Sequence, residues 1–361
     1  MSVPVVTYSD FATPAKVAAA RQNLAWYAQF AMFAEDMYLS SSADPSGDVR
    51  FASDWTFVDW LRTTVAANVA GDIKHWLLGT DDTTYFGALF RHAVETDHYL
   101  VAIRGTESSA EWVQNFAAAP DLIHNLKAKL AAQISHKGGD AKVHPSGAGL
   151  VPDGFFGIYQ KLTMGKSGLA SPLSASDGII RRVTALQTAD GKLASHATVT
   201  ITGHSLGAAV CSYLAYDVAV SGKIGAVNNY VFASPHPGDP EFADKLSKAG
   251  VNSVSVVYEK DLVPTVPPVF SPLNETIKII AAGQPTPTMP DQIVASAQIR
   301  DLPGGNHHVI CYAAMLDPVV AKKIKCFTLD KDCVSCVLTD IARPDLADGS
   351  ALATTRWAPL P

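Results

Sequence analysis

From Ala197 to Tyr258 the chain switches repeatedly between strand and helix patterns, and few folds accept that alternation. Ala197–Thr202 is a short run of β-favouring residues, and Ser205–Val220 carries a helical pattern rich in small apolar side chains. Asn228–Ala233 reads as a second strand, Pro240–Ala249 as a second helix and Val254–Tyr258 as a third strand. Strands joined by helices run parallel, and a parallel sheet needs both faces covered. The expected class is therefore α/β, a mainly parallel central sheet flanked by helices on both faces.

The flanking sequence adds elements to that frame. Residues 14 to 38 predict a long helix, with Thr13 as cap, Pro14 in the first turn and Leu24, Tyr27, Ala28 and Ala31 on one face. Residues 55 to 70 predict another helix, and so do 177 to 187 and His308–Lys325. Thr84–Ala93 and Asp97–Arg104 predict a β-hairpin turning at Glu95-Thr96. The proline-dense stretches 264–272 and 285–290 read as loops. Residues 1–336 are expected to form one domain and 337–361 a tail.

Composition narrows the class of function. The chain of 361 residues is 48% hydrophobic and 17% charged, enough for a large core. Its formal charge is −6 and no basic stripe is interleaved with aromatics, which argues against nucleic-acid binding. No apolar run approaches the roughly 18 residues of a transmembrane helix. No leader is legible in MSVPVVTYSDFATPAK, which by default implies a cytoplasmic chain. Cys326, Cys333 and Cys336 cluster near the C-terminus, but no second CxxC accompanies them, so a zinc site lacks its ligands.

The first strand-to-helix junction carries GHSLG, with Ser205 between Gly203 and Gly207. A serine hydroxyl is a weak nucleophile unless it is exposed by a sharp turn and placed beside a base. Such a turn crowds the backbone and demands small residues two before and two after the serine. The helix that follows aims its first N–H groups at a developing oxyanion. The plain alternative is a glycine-rich turn with a capping serine.

Partners for Ser205 should lie where later strands end. Asp261 leaves the strand ending at Tyr258; Glu259, Asp239 and Asp301 compete for the same role. A base comes from GGNHHVICY, which leaves His307 and His308 open. The order Ser, Asp, His is that of sheet hydrolases. Thr106, at the end of YLVAIRGT, offers a second oxyanion donor.

Several separate stretches together resemble the class 3 lipases, the fungal- and plant-type triacylglycerol lipase family with an α/β-hydrolase fold. They are VAIRGTESSAEWVQNF, VHPSGAGLVPDGFFGIYQKL, VTITGHSLGAAV, YVFASPHPGDPEFA and VNSVSVVYEKDLVPTVPP, within about 85 to 315. The resemblance implies Ser205 as nucleophile, Asp261 as acid, and Thr106 with the Leu206 N–H as oxyanion hole. It favours His307 as base, because His307 stands five residues before Tyr312; His308 is held in reserve.

The same resemblance places a lid near 107–120, with Trp112, Val113 and Phe116 as its apolar patch. It implies a serine carboxylester hydrolase, a lipase working without metal or organic cofactor on ester or lipid substrate at a lipid–water interface. A phospholipase A1 and a soluble-ester, feruloyl-type esterase are the enzyme alternatives. A lipid- or protein-binding pseudoenzyme on the same scaffold is the non-enzyme one. The resemblance also implies secretion, against the cytoplasmic default. Departures from the family pattern are Ala208, where glycine is frequent, the insertion 121–150 and the Cys-containing C-terminal tail.

Overall fold

The computed structural model describes residues 3–39, 54–63, 84–105, 141–144, 146–164, 173–285, 289, 291–299 and 306–321. They form an α/β architecture around a 10-stranded sheet. Its strands are β1 (Trp55–Thr63), β2 (Thr84–His92), β3 (His98–Ile103), β6 (Leu162–Met164), β7 (Leu173–Ser174), β8 (Thr198–His204), β9 (Ala226–Phe232), β10 (Asn252–Tyr258), β11 (Thr276–Ile280) and β12 (Gln292–Val294). They lie in the order β12-β11-β10-β9-β8-β3-β2-β1-β6-β7. From β3 through β8 to β12 every neighbour is parallel; from β3 through β2 and β1 to β7 every neighbour is antiparallel. A separate hairpin pairs β4 (Ala141–Val143) with β5 (Leu150–Pro152).

Two hydrophobic cores sandwich this sheet, and strand alternation divides the side chains between them. On β9, Tyr230 and Phe232 face one core while Val231 faces the other; on β3, Leu100 and Ala102 oppose Tyr99, Val101 and Ile103. The first core is closed by α1 (Pro14–Leu39), α6 (Val309–Leu316) and α7 (Pro318–Ala321). The second is closed by α2 (Asp153–Lys161), α3 (Ala175–Ala189), α4 (Leu206–Val220) and α5 (Pro240–Lys248). Leu24, Tyr27, Ala28 and Ala31 of α1 are all buried, as their spacing predicts.

The structure corrects the helix expected from residue 55. Residues 55–63 are instead β1, antiparallel to β2 with Trp60 opposite Ala88. Register shifts between Phe57 and Asp59, and between Leu61 and Arg62, break the two-residue alternation that would have marked a strand. Composition is the surviving signal, since WTFVDWLRT is rich in aromatic and β-branched residues. The helix expected over His308–Lys325 is also divided at Asp317, because Pro318 has no N–H with which to continue it. No helix among the described residues is long and apolar enough to cross a membrane. The tail 337–361 lies outside the described residues.

Candidate active site

β8 delivers its last residue, His204, to the carboxyl end of the parallel strands, and the chain reverses at Ser205 into α4. Ser205 adopts φ 56° and ψ −130°, a backbone state unusual for a residue with a side chain. Its N–H is fixed by the Phe232 carbonyl of β9 at 3.0 Å. The strain therefore sits on the serine, and the glycines serve close approach. A Cβ at Gly207 would lie 2.4 Å from the Arg104 carbonyl oxygen, and one at Gly203 would lie 2.7 Å from Cys211 Sγ. These contacts bring the first turn of α4 onto the end of β3.

Gly207→Ala is therefore expected to push α4 off β3. The neighbouring atom is backbone and cannot rotate away, so the cost should reach about 1–3 kcal/mol. Urea denaturation should show a lower midpoint with an unchanged slope.

Asp261 follows β10 in a tight turn, its N–H donating to the Tyr258 carbonyl at 3.0 Å. Three donors converge on its buried carboxylate. Oδ1 accepts from the Val263 N–H at 2.9 Å; Oδ2 accepts from His307 Nδ1 at 2.8 Å and from the Tyr312 hydroxyl at 2.7 Å. The Tyr312 hydroxyl in turn accepts from the Tyr258 N–H at 3.0 Å, which ties α6 to β10. Burial, with the Asp261 charge beside it, pushes the Tyr312 hydroxyl well above its ordinary pKa, so it remains a donor.

The other nitrogen of the His307 ring, Nε2, lies 2.8 Å from Ser205 Oγ. With Nδ1–H given to the carboxylate, Nε2 is left to accept the serine proton. Ser205, His307 and Asp261 thus form one hydrogen-bonded line, each residue at most 6% exposed. His308 points elsewhere: it caps α6, with Nδ1 accepting the Ile310 N–H at 3.3 Å. Of the competing acids, Asp239 caps α5 by accepting the Phe242 N–H, and Glu259 accepts the Ala281 N–H. Asp301 lies outside the described residues, as do Thr106, Trp112, Val113, Phe116, Cys326, Cys333 and Cys336. Leu206 is the first residue of α4. Gly105, just before Thr106, abuts the elbow: a Cβ there would meet Ser205 Cβ at 3.3 Å.

Two groups at the site have no signal in the local motif: buried His204 and partly buried Glu35. His204 Nε2 donates to the His307 carbonyl at 2.5 Å, and its Nδ1 pairs with Glu35 Oε1 of α1. Burial opposes charge on both partners, but their mutual attraction prevails. The Glu35 carboxyl is held below its ordinary value and the His204 imidazole above its own. A signal for Glu35 does exist. It falls four residues after Ala31 on the buried stripe of α1, where an acid needs a partner. Among the described residues, no three His, Cys, Asp or Glu side chains converge as a metal-binding group.

Residues 100–271 match the model of the lipase (class 3) family. The chloroplastic phospholipase A1-Igamma2 of Arabidopsis thaliana is 30% identical over 219 residues, which cover 57% of this chain and 37% of that protein. The secreted mono- and diacylglycerol lipase LIP1 of Malassezia globosa is 41% identical over 71 residues, covering 19% of this chain and 23% of that protein. Among solved structures, lipase II from Rhizopus niveus aligns at a TM-score of 0.46 with 18% identity, over 71% of this chain and 79% of that one. The chain spans only about a third of the length of its curated plant relatives, 32% and 37% for two of them.

Proposed function

We propose that this chain, whose residues 100–271 match the class 3 lipase family model, is a serine carboxylester hydrolase that cleaves acylglycerol esters through an acyl-enzyme. The observation that carries the reading is the unbroken line Ser205 Oγ, His307 Nε2, His307 Nδ1, Asp261 Oδ2, with both hydrogen bonds at 2.8 Å. The Ser205 hydroxyl attacks the ester carbonyl while His307 takes its proton. Asp261 holds the imidazole in the required tautomer and stabilises the imidazolium. The Leu206 N–H, at the start of α4, and Thr106, which follows Gly105, are the proposed donors to the tetrahedral oxyanion. His307 then protonates the departing alcohol. Water repeats the sequence on the acyl-serine and releases the acid, with no cofactor taking part.

A phospholipase A1 is the second reading, favoured by the longer matches to plant phospholipases A1 than to LIP1. Trp112, Val113 and Phe116 are proposed to line a lid that opens at lipid, which would admit either substrate class. Covalent labelling by a fluorophosphonate, mapped to the peptide holding Ser205, tests the nucleophile. Rates on emulsified triacylglycerol, phospholipid vesicles and a dissolved short-chain ester then separate the substrates. The proposal expects a single label on Ser205 and a rise in rate once acylglycerol forms an interface. An unlabelled protein with no turnover on any ester would point to a binding pseudoenzyme. Full speed on dissolved esters alone would leave a soluble-ester esterase.

A further inference from the structure

The Glu35–His204 contact lies behind the catalytic line and belongs to no step of the reaction above. Its protons can be counted from geometry alone. A carbonyl oxygen only accepts, so His204 Nε2 must carry hydrogen toward His307 O, 2.5 Å away. Nδ1 and Glu35 Oε1 are too close to be two bare acceptors, so they share a second proton. Wherever that proton sits, Glu35 and His204 together carry no net charge.

Position gives this neutrality a consequence. His204 immediately precedes the nucleophile, and its ring lies 4.6 Å from that of His307, centroid to centroid. Glu35 Oε1 would be 3.5 Å from a Cβ at Gly105, where β3 runs against Ser205. A bare carboxylate there would repel an oxyanion forming at Ser205.

We propose that Glu35 and His204 act as a neutral positioning pair for the catalytic histidine. His204 pins the backbone of His307 through its carbonyl, and Glu35 orients the His204 ring while being neutralised by it. The inference rests on the ester-hydrolase reading. It adds a device by which Glu35 of α1, 169 positions before His204, holds the base and the nucleophile in register.

Glu35→Gln, His204→Asn and the double variant test it, each assayed for kcat and KM on a dissolved ester. Urea midpoints and amide exchange of the peptide 306–312 are read on the same proteins. Glu35→Gln keeps a donor facing Nδ1 and leaves Nε2–H on the carbonyl, so a loss of less than about tenfold is expected. His204→Asn removes the donor to His307 and leaves the carboxylate uncompensated. Its kcat should fall on the order of 10²-fold at little-changed KM, as expected for a misplaced catalytic group. Exchange of the 306–312 peptide should quicken in parallel.

The double variant should be faster than His204→Asn alone, because no uncompensated carboxylate is left beside the site. A merely structural role would give losses that multiply and that follow the urea midpoints. Multiplying losses, wild-type kcat in His204→Asn, or unchanged exchange would each overturn the proposal. If the wild type hydrolyses no ester, the enzyme reading falls, and exchange of the 306–312 peptide still decides whether His204 holds His307.

Discussion

Ser205→Ala should lower kcat by at least about 10⁴-fold while the protein stays folded. The hydroxyl is the only group of Ser205 in the proposed chemistry, and alanine offers nothing for His307 to deprotonate. The fold gives it little reason to collapse. The elbow is fixed through backbone, by the Ser205 N–H on the Phe232 carbonyl and by the glycines that let α4 meet β3. What disappears is one neutral hydrogen bond to His307 Nε2, which is expected to contribute about 1 kcal/mol. The strain at φ 56° remains, because alanine has the same Cβ problem there. Parallel measurement of dissolved-ester turnover and urea midpoint should therefore separate widely. Substantial turnover in the variant would remove Ser205 from the mechanism, and Asp261 and His307 would lose their stated roles with it.

Local signals explain which parts of this molecule could be read from its sequence. β8, α4, β9, α5 and β10 lie within three residues of their expected limits, because short β-favouring runs and helical runs follow one another there with glycine, proline or asparagine near their ends. β1 is not legible as a strand because two register shifts break its alternation, and these answer to the partner strand β2. β11 and the edge strand β12 are short and flank the proline-dense loop 285–290, too brief for a pattern to show.

The site divides in the same way. Ser205 and Asp261 announce themselves at strand ends, where open sheets collect functional groups. His307 and His308 share one local sequence, which by itself leaves both open; the spacing to Tyr312 favours His307, and in the structure its ring turns to Ser205 while His308 caps α6. The Glu35–His204 contact has no local signature linking its two ends. A lone acid on the α1 stripe predicts that a partner exists, but the fold alone supplies which one.

Asp261→Asn should be nearly as damaging to catalysis, and for a reason of tautomers rather than of charge alone. The carboxylate receives the Val263 N–H on Oδ1, and His307 Nδ1–H with the Tyr312 hydroxyl on Oδ2. Asparagine has one oxygen and one NH₂ group for these three donors. If its oxygen faces Val263, the NH₂ meets His307 and forces hydrogen onto Nε2, the nitrogen that must accept from Ser205. If the amide turns the other way, its NH₂ meets the Val263 N–H and a buried donor is left unsatisfied, at about 1–3 kcal/mol. Either arrangement fails, so kcat should drop by about 10⁴-fold, with a smaller loss of stability. The same exchange at Glu259, whose carboxylate accepts the Ala281 N–H on the far side of the β10 turn, should leave kcat at the wild-type level. Comparing kcat of the two variants on one dissolved ester thus assigns the acid. A large fall in Glu259→Gln with near-normal turnover in Asp261→Asn would transfer the role from one residue to the other.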